Sequence, residues 1–232
     1  MVPGNDKRKA VKAVKNNASR EAFIRAGLDL FGECGLEGTT TRMLAKKAGA
    51  NISGIVYYFG GKDGLYQAVL ERISGHFNEL TADLRRESWQ KLQSPLDKAQ
   101  TLALVKNMIS VLSRVMSERV KVKNAEKIIL REQTSPTASF PILYDGYMKD
   151  MISLVRALIG RYTERSPESD LVTVQAHTLV GQFIAFIATR EALLKNLGVR
   201  RLSAEQNELI HQVIMGNIES CLKSWAEEEE KA

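Results

Sequence analysis

The residues whose types and spacing could do chemistry lie in one short stretch. Thr40, Arg42, Ile52, Ser53, Gly54, Tyr57, Tyr58 and Lys62 all fall within GLEGTTTRMLAKKAGANISGIVYYFGGKDGL, residues 35–65. Phenolic hydroxyls and an ammonium can hold phosphate oxygens, and a helix starting near Gly61-Lys62 adds backbone N–H donors for the same purpose. Such contacts fix a register on a polyanion and carry no sequence information. An arginine fork can pair with a guanine edge and an isoleucine methyl can touch thymine, so Arg42, Ile52 and Ser53 are the candidates for reading bases.

The elements that must position these side chains form a helix-turn-helix pattern. The spacing predicts a first helix over about Ser19 to Cys34, with Phe23, Gly27, Leu30 and Phe31 on its inner face and Gly35 at its end. Thr40 caps a short second helix in which Leu44, Ala45 and Ala48 face inward. Gly49 supplies the tight turn and Asn51 caps a third helix. That helix presents Ile52, Ser53 and Gly54 at its N-terminal end, where a recognition helix meets base edges, while Ile55 and Phe59 anchor it. A fourth helix starts near Gly61-Lys62 and runs into the eighties.

The remaining signal is helical throughout. Ser94-Pro95 with Asp97 reads as the opening of a helix to about Ser117, and Asn124 as the cap of a short helix stopped by Ser135-Pro136. Another helix is expected from Pro141 to Thr163, and a long one from Ser166-Pro167 to Gly198. Ser203 with Gln206 forms a capping box for the last, to about Glu229. The expected fold class is all-α, with about nine helices.

Charge divides the chain. Residues 1–62 hold eleven Lys/Arg and five Asp/Glu, and the other 170 residues hold 22 of each, so the whole net charge of +6 sits in the first quarter. That asymmetry points to a polyanionic partner for the N-terminal part alone. Met1 to Ser19 lacks the apolar run of a secretory signal, and no stretch looks long and apolar enough to span a bilayer. A cytoplasmic protein is the expectation, with no membrane partner. Cys34 and Cys221 are far apart and have no metal-ligand spacing. His76, His177 and His211 are scattered, and no HExxH, GxSxG or phosphate-binding glycine loop is present. The chain therefore reads as a non-enzyme, with no metal or cofactor.

The segment 19–66 resembles the DNA-binding domain of the TetR family of bacterial repressors. The matching residues are Phe31, Gly35, Thr39-Thr40, Leu44-Ala45, Ala48-Gly49, Tyr57, Phe59, Lys62 and Leu65-Tyr66. The resemblance implies that Thr40, Arg42, Ser53, Tyr57, Tyr58 and Lys62 lie near DNA. Gly61 stands where the family often has Ser or Thr, and Val56 where it usually has Tyr. Within the family, Leu130 to Ala138, together with His177 to Gln182 and Phe186, is similar to the CecR-like subgroup. The implied organisation is a flexible basic arm over 1–18, a helix-turn-helix domain over 19–66, and a larger helical regulatory and dimerisation domain over 67–232.

In that larger domain, Arg131, Glu132 and Gln133 follow the apolar Ile128, Ile129 and Leu130, so their polar groups either bond one another and the 134–137 loop or face a polar ligand. Met108, Leu112, Arg131, Phe140, Tyr144, Met148, His177, Phe183 and Phe186 are the candidate ligand contacts, because apolar and aromatic walls with a few polar groups suit a small molecule. The alternative for most of them is ordinary core. By resemblance the last two helices pair with a second copy through Phe183, Ile187, Leu194, Ile210, Ile214, Ile218 and Trp225. The reading is a homodimeric, ligand-responsive transcriptional regulator, a repressor released from a palindromic double-stranded DNA operator by a small-molecule effector. The alternative is a DNA-binding regulator controlled by a protein partner or by abundance.

Overall fold

The computed structural model describes residues 5–117 and 124–229, with side chains over 16–114 and 124–227. Met1–Gly4 of the expected arm and Glu230 of the closing acidic run lie outside the described residues. Every described element is helical: α1 Asn5–Gly38, α2 Thr41–Ala48, α3 Ser53–Phe59, α4 Lys62–Leu92, α5 Lys98–Ser117, α6 Ala125–Thr134, α7 Phe140–Leu143, α8 Lys149–Thr163, α9 Asp170–Ala188, α10 Arg190–Asn196 and α11 Ala204–Glu229. A π-helical turn, Tyr144–Met148, joins α7 to α8. The all-α expectation holds.

Several boundaries moved for local reasons. The first helix begins at Asn5, well before Ser19, because nothing in KRKAVKAVKNNAS breaks a helix. Its regular part ends at Gly35, whose φ of 74° and ψ of 175° kink the chain. Ser94-Pro95 is loop. The helix-opening box is three residues later, where the Asp97 carboxylate accepts from Gln100 N at 2.7 Å and the Gln100 amide oxygen accepts from Asp97 N at 3.0 Å. Asn124 does not cap α6 through its side chain; it sits at φ 62° and packs flush against Gly32. Ser169, not Ser166, caps α9, accepting from Val172 N at 3.3 Å. The long helix expected to Gly198 breaks at Thr189 into α9 and α10. The Ser203–Gln206 box stands as expected, with reciprocal bonds of 3.0 and 3.2 Å.

The chain divides into two compact units, Met1–His76 with Lys121–Gly146, and Phe77–Val120 with Tyr147–Ala232. The division differs from 1–18, 19–66 and 67–232, since α6 packs on α1 and the stretch to Gly146 groups with the N-terminal helices. In the first unit, Phe23, Phe31, Leu44, Ile55, Leu65, Val69 and Ile73 are fully buried. Arg131 Nη1 donates to the Phe31 carbonyl at 2.6 Å, which satisfies a helix-end acceptor. The buried Glu132 carboxylate accepts from the Tyr66 hydroxyl at 2.7 Å, from Thr137 N at 3.1 Å and from Thr137 Oγ1 at 2.9 Å. Of the two readings open for this helix, internal bonding is the one observed for Arg131 and Glu132.

In the second unit, α5, α8, α9 and α11 surround a core of Leu104, Met108, Leu154, Leu158, Leu179, Phe183, Ile214, Ile218 and Leu222. Helix α9 corrects the expectation about membrane-length segments. By length and composition it could cross a bilayer, and only 28% of that apolar stretch is buried within the chain. Its exposed residues include Leu171, Val174, Ala185 and Ala188.

Candidate nucleic-acid interface

The helix-turn-helix is built from the residues the pattern indicated. Thr40 Oγ1 accepts from Met43 N at 3.2 Å and starts α2. Gly49, at φ 62°, ends it in the left-handed conformation that glycine adopts without penalty. Asn51 Oδ1 accepts from both Ser53 N and Ser53 Oγ at 2.9 Å, so Asn51 caps α3 one residue further out than a standard N-cap. Thr39 is buried and donates to the Gly35 carbonyl at 2.7 Å, holding the kink that turns the chain from α1 toward α2.

Helical periodicity sorts α3 into two faces. Ile52, Ser53, Val56 and Tyr57 face solvent, with Val56 67% and Tyr57 72% exposed. Exposure of two large apolar side chains on one short helix marks a surface meant to be covered. Ile55 is fully buried on the opposite side. Gly54 belongs to the inner face as well. A Cβ there would stand 2.8 Å from the Phe23 ring, so Gly54 allows close packing of α3 on α1 and does not present itself to base edges. Val56 is the outer-face residue missing from the expected set. Its position four after Ile52 and three after Ser53 was the signal for it.

The two tyrosines divide roles. Tyr58 is half-buried against Phe23 and Phe59, and its hydroxyl donates to Asn16 Oδ1 at 3.3 Å. Tyr57 stands edge-on to Tyr58 at 4.8 Å with its hydroxyl in solvent. Lys62 also has an internal partner: its ammonium donates to the Leu36 carbonyl at 2.9 Å. It ties the start of α4 to the end of α1. Arg42 and Lys46 are exposed, whereas Lys47 pairs with Asp29 at 3.2 Å. Burial, reinforced by the hydrogen bond to Glu132, raises the Tyr66 hydroxyl well above its ordinary pKa, so it stays a donor at neutral pH.

The residues expected to line a ligand pocket are divided between the two compact units. Arg131, Phe140 and Tyr144 belong to the first unit, and Arg131 is spent on the Phe31 carbonyl. Tyr144 is 43% exposed. Met108 and Phe183 are buried in the second unit's core, with Leu112 and Phe186 packed against it. His177 is exposed, its Nδ1 3.0 Å from the Thr173 carbonyl. That unit also bears an open cleft of about 590 Å³ lined by Ser110, Ser113, Arg114, Ala204, Asn207, Glu208 and His211. Among the described residues no cluster of three or more His, Cys, Asp or Glu could hold a metal ion. The expected dimer contacts need a similar correction. Phe183, Leu194, Ile214 and Ile218 are buried within their own chain. Ile187, Ile210 and Trp225 are half-buried, and the outward residues of α9 and α11 are Leu171, Val174, Leu209 and Val213.

Comparison with known proteins fits this geometry. Residues 23–69 match the profile of bacterial regulatory proteins of the tetR family, and residues 101–224 match the C-terminal domain of the HTH-type transcriptional dual regulator CecR. The CecR of Shigella flexneri is 31% identical over 215 residues, 90% of this chain and 94% of that protein. The chain belongs to the TetR family, in its CecR group. It is thus a helix-turn-helix transcriptional regulator. RutR of Escherichia coli K12 is similar over the head alone, 39% identical over 57 residues, 25% of this chain and 27% of that protein. Two solved structures share the fold. AibR, in complex with isovaleryl coenzyme A and operator DNA, superposes with a TM-score of 0.61 at 14% identity, over 86% of this chain and 97% of that one. A TetR-family regulator from Mesorhizobium loti MAFF303099 superposes at 0.54 and 17% identity, over 90% and 97%.

Proposed function

We propose that the chain is a homodimeric repressor that binds a palindromic operator and is released by a small-molecule effector in the cytoplasm. The observation that carries the DNA reading is the outer face of α3, where Ile52, Ser53, Val56 and Tyr57 are exposed on a helix anchored by Ile55. Ile52 and Val56 suit thymine methyls, Arg42 a guanine edge or phosphate, and Thr40 and Tyr57 phosphates. The apolar stripe on α9 and α11 supports a dimer. Leu171, Val174, Leu209 and Val213 are exposed there, and a Cβ at Gly181 or Gly216 would meet nothing within 4 Å. A dimer carries two recognition helices, one for each half-site of a palindrome.

Unpaired polar atoms support an effector. In the second unit, Ser88 Oγ, Gln175 Oε1 and Arg85 Nε are buried with no hydrogen-bond partner among the described residues. Such orphans are costly, and a ligand with hydrogen-bonding groups would satisfy them. AibR, of the same fold, binds both a small molecule and DNA. Helix α4 runs through both units, so a ligand that favours one conformer of the second unit would shift the population of heads fit to bind. The alternative, regulation without a small ligand, draws support from the packing of Met108 and Phe183 into solid core.

The test enriches duplexes from a random-sequence library with the full chain. A palindrome bound by two chains, with half-sites a whole number of helical turns apart, is expected. Enrichment of single half-sites bound by one chain overturns the dimer. A compound panel screened by thermal melting then tests the effector: a stabilising compound should weaken binding to the enriched duplex. Stabilisers that leave DNA binding unchanged favour the alternative.

A further inference from the structure

The charge of the basic N-terminal part is unevenly placed. Residues 1–15 hold five Lys/Arg and one acid, Asp6, whereas residues 16–62 hold six Lys/Arg and four acids. Four of the six net positive charges therefore precede Asn16. The fold then engages several of the other cations. Lys47 pairs with Asp29 at 3.2 Å, and Lys62 binds the Leu36 carbonyl. Arg20 lies 3.8 Å from Glu21, with its guanidinium 5.4 Å from the Phe59 ring centroid. Attraction toward a polyanion grows with local net charge, which is highest in that first stretch.

The backbone of this stretch is helical from Asn5 and continuous with α1. It joins the folded head at Asn16, whose side chain accepts from the Tyr58 hydroxyl at 3.3 Å, and Tyr58 in turn abuts the exposed Tyr57 of α3. The extension is thus rooted beside the recognition helix, and the matched family profile begins only at residue 23. Eleven residues, Asn5 to Lys15, make about 16 Å of helix, the length of roughly five base pairs.

We infer that the Asn5–Lys15 extension is a second nucleic-acid contact, engaging backbone phosphates that flank the half-site beneath α3. This rests on the DNA-binding reading above. Lys7, Arg8, Lys9, Lys12 and Lys15 supply the charge. They add affinity and reach without adding base specificity, since phosphate contacts are blind to sequence.

The test compares the full chain with a variant carrying K7Q, R8Q, K9Q, K12Q and K15Q, in which glutamine preserves helix propensity. The probes are the enriched duplex trimmed to its half-sites and the same duplex lengthened by about five base pairs at each end. Anisotropy titrations from 50 to 200 mM salt give the slope of log K against log salt. A dimer carries ten of these cations. If half of them meet phosphates, the slope on the longer duplex falls by about 4.5, and the full chain loses roughly 500-fold more affinity than the variant across that range. A fall of more than 1 confined to the longer duplex supports the inference. A slope within 1 of the full chain's on both duplexes overturns it, and an equal fall on the trimmed duplex overturns the flanking placement. Failure of the full chain to enrich any duplex instead overturns the DNA-binding reading and the inference with it.

Discussion

The Tyr57 hydroxyl offers a sharp test of the proposed interface. Tyr57→Phe deletes one oxygen from a side chain that is 72% exposed and keeps the ring that meets Tyr58 at 4.8 Å. The fold should not register the change, because surface substitutions away from packing features stay within about 0.5 kcal/mol. On DNA, each hydroxyl should lose one hydrogen bond to phosphate, a net of about 0.5–1.5 kcal/mol. A dimer loses two, about 1–3 kcal/mol, which is a drop in affinity of roughly 5- to 160-fold. Tyrosine is neutral and displaces no counterion, so the log–log salt slope should stay parallel to the parent's. The assay is fluorescence anisotropy on the enriched duplex at several salt concentrations, with a urea melt as control. Unchanged affinity would refute the phosphate role, and a shifted melt would refute the claim that this residue is free of the fold.

Three further outcomes follow from particular residues. Gly216→Leu should raise helix propensity by about 0.8–1 kcal/mol, with its Cβ more than 4 Å from any neighbour among the described residues, yet hold two copies of α11 apart; sedimentation should show a stable monomer, and a dimer of unchanged affinity would place the interface elsewhere. Ser88→Ala removes a buried hydroxyl that has no partner among the described residues and should stabilise the chain by about 1–3 kcal/mol in denaturant titrations, whereas a loss would show that the hydroxyl is satisfied. Tyr66→Phe should cost about 1.5–3 kcal/mol at neutral pH, because a buried carboxylate loses a donor. The Tyr66 pKa is raised on folding, so its contribution is full below the unfolded tyrosine pKa of about 10 and is lost as pH rises beyond it. The parent should therefore weaken above about pH 10 more steeply than the Phe variant.

The head was legible because its determinants are local. Caps such as Thr40 and Asn51, the left-handed Gly49, and the spacing of Leu44, Ile55 and Phe59 act within a few residues of one another. The same holds for the Ser203–Gln206 box. What misled was exposure. Gly54 and Tyr58 sit in a stretch of interface type, yet both turn toward Phe23, a residue thirty or more positions away. Phe183, Ile214 and Ile218 lie on helices of interface type but fill their own core, because an apolar stripe does not say which of two partners covers it.

The sequence by itself determined the all-helical class, the turn chemistry of the head, the family and the placing of all excess charge before residue 63, since each depends on neighbours along the chain. Only the tertiary structure decided how those residues are used. It bonded Lys62 to the Leu36 carbonyl, Arg131 to the Phe31 carbonyl and Glu132 to Tyr66. Pairing a buried polar group depends on atoms brought together from distant positions, up to 100 residues apart for Arg131 and Phe31, and no periodicity or motif encodes that proximity.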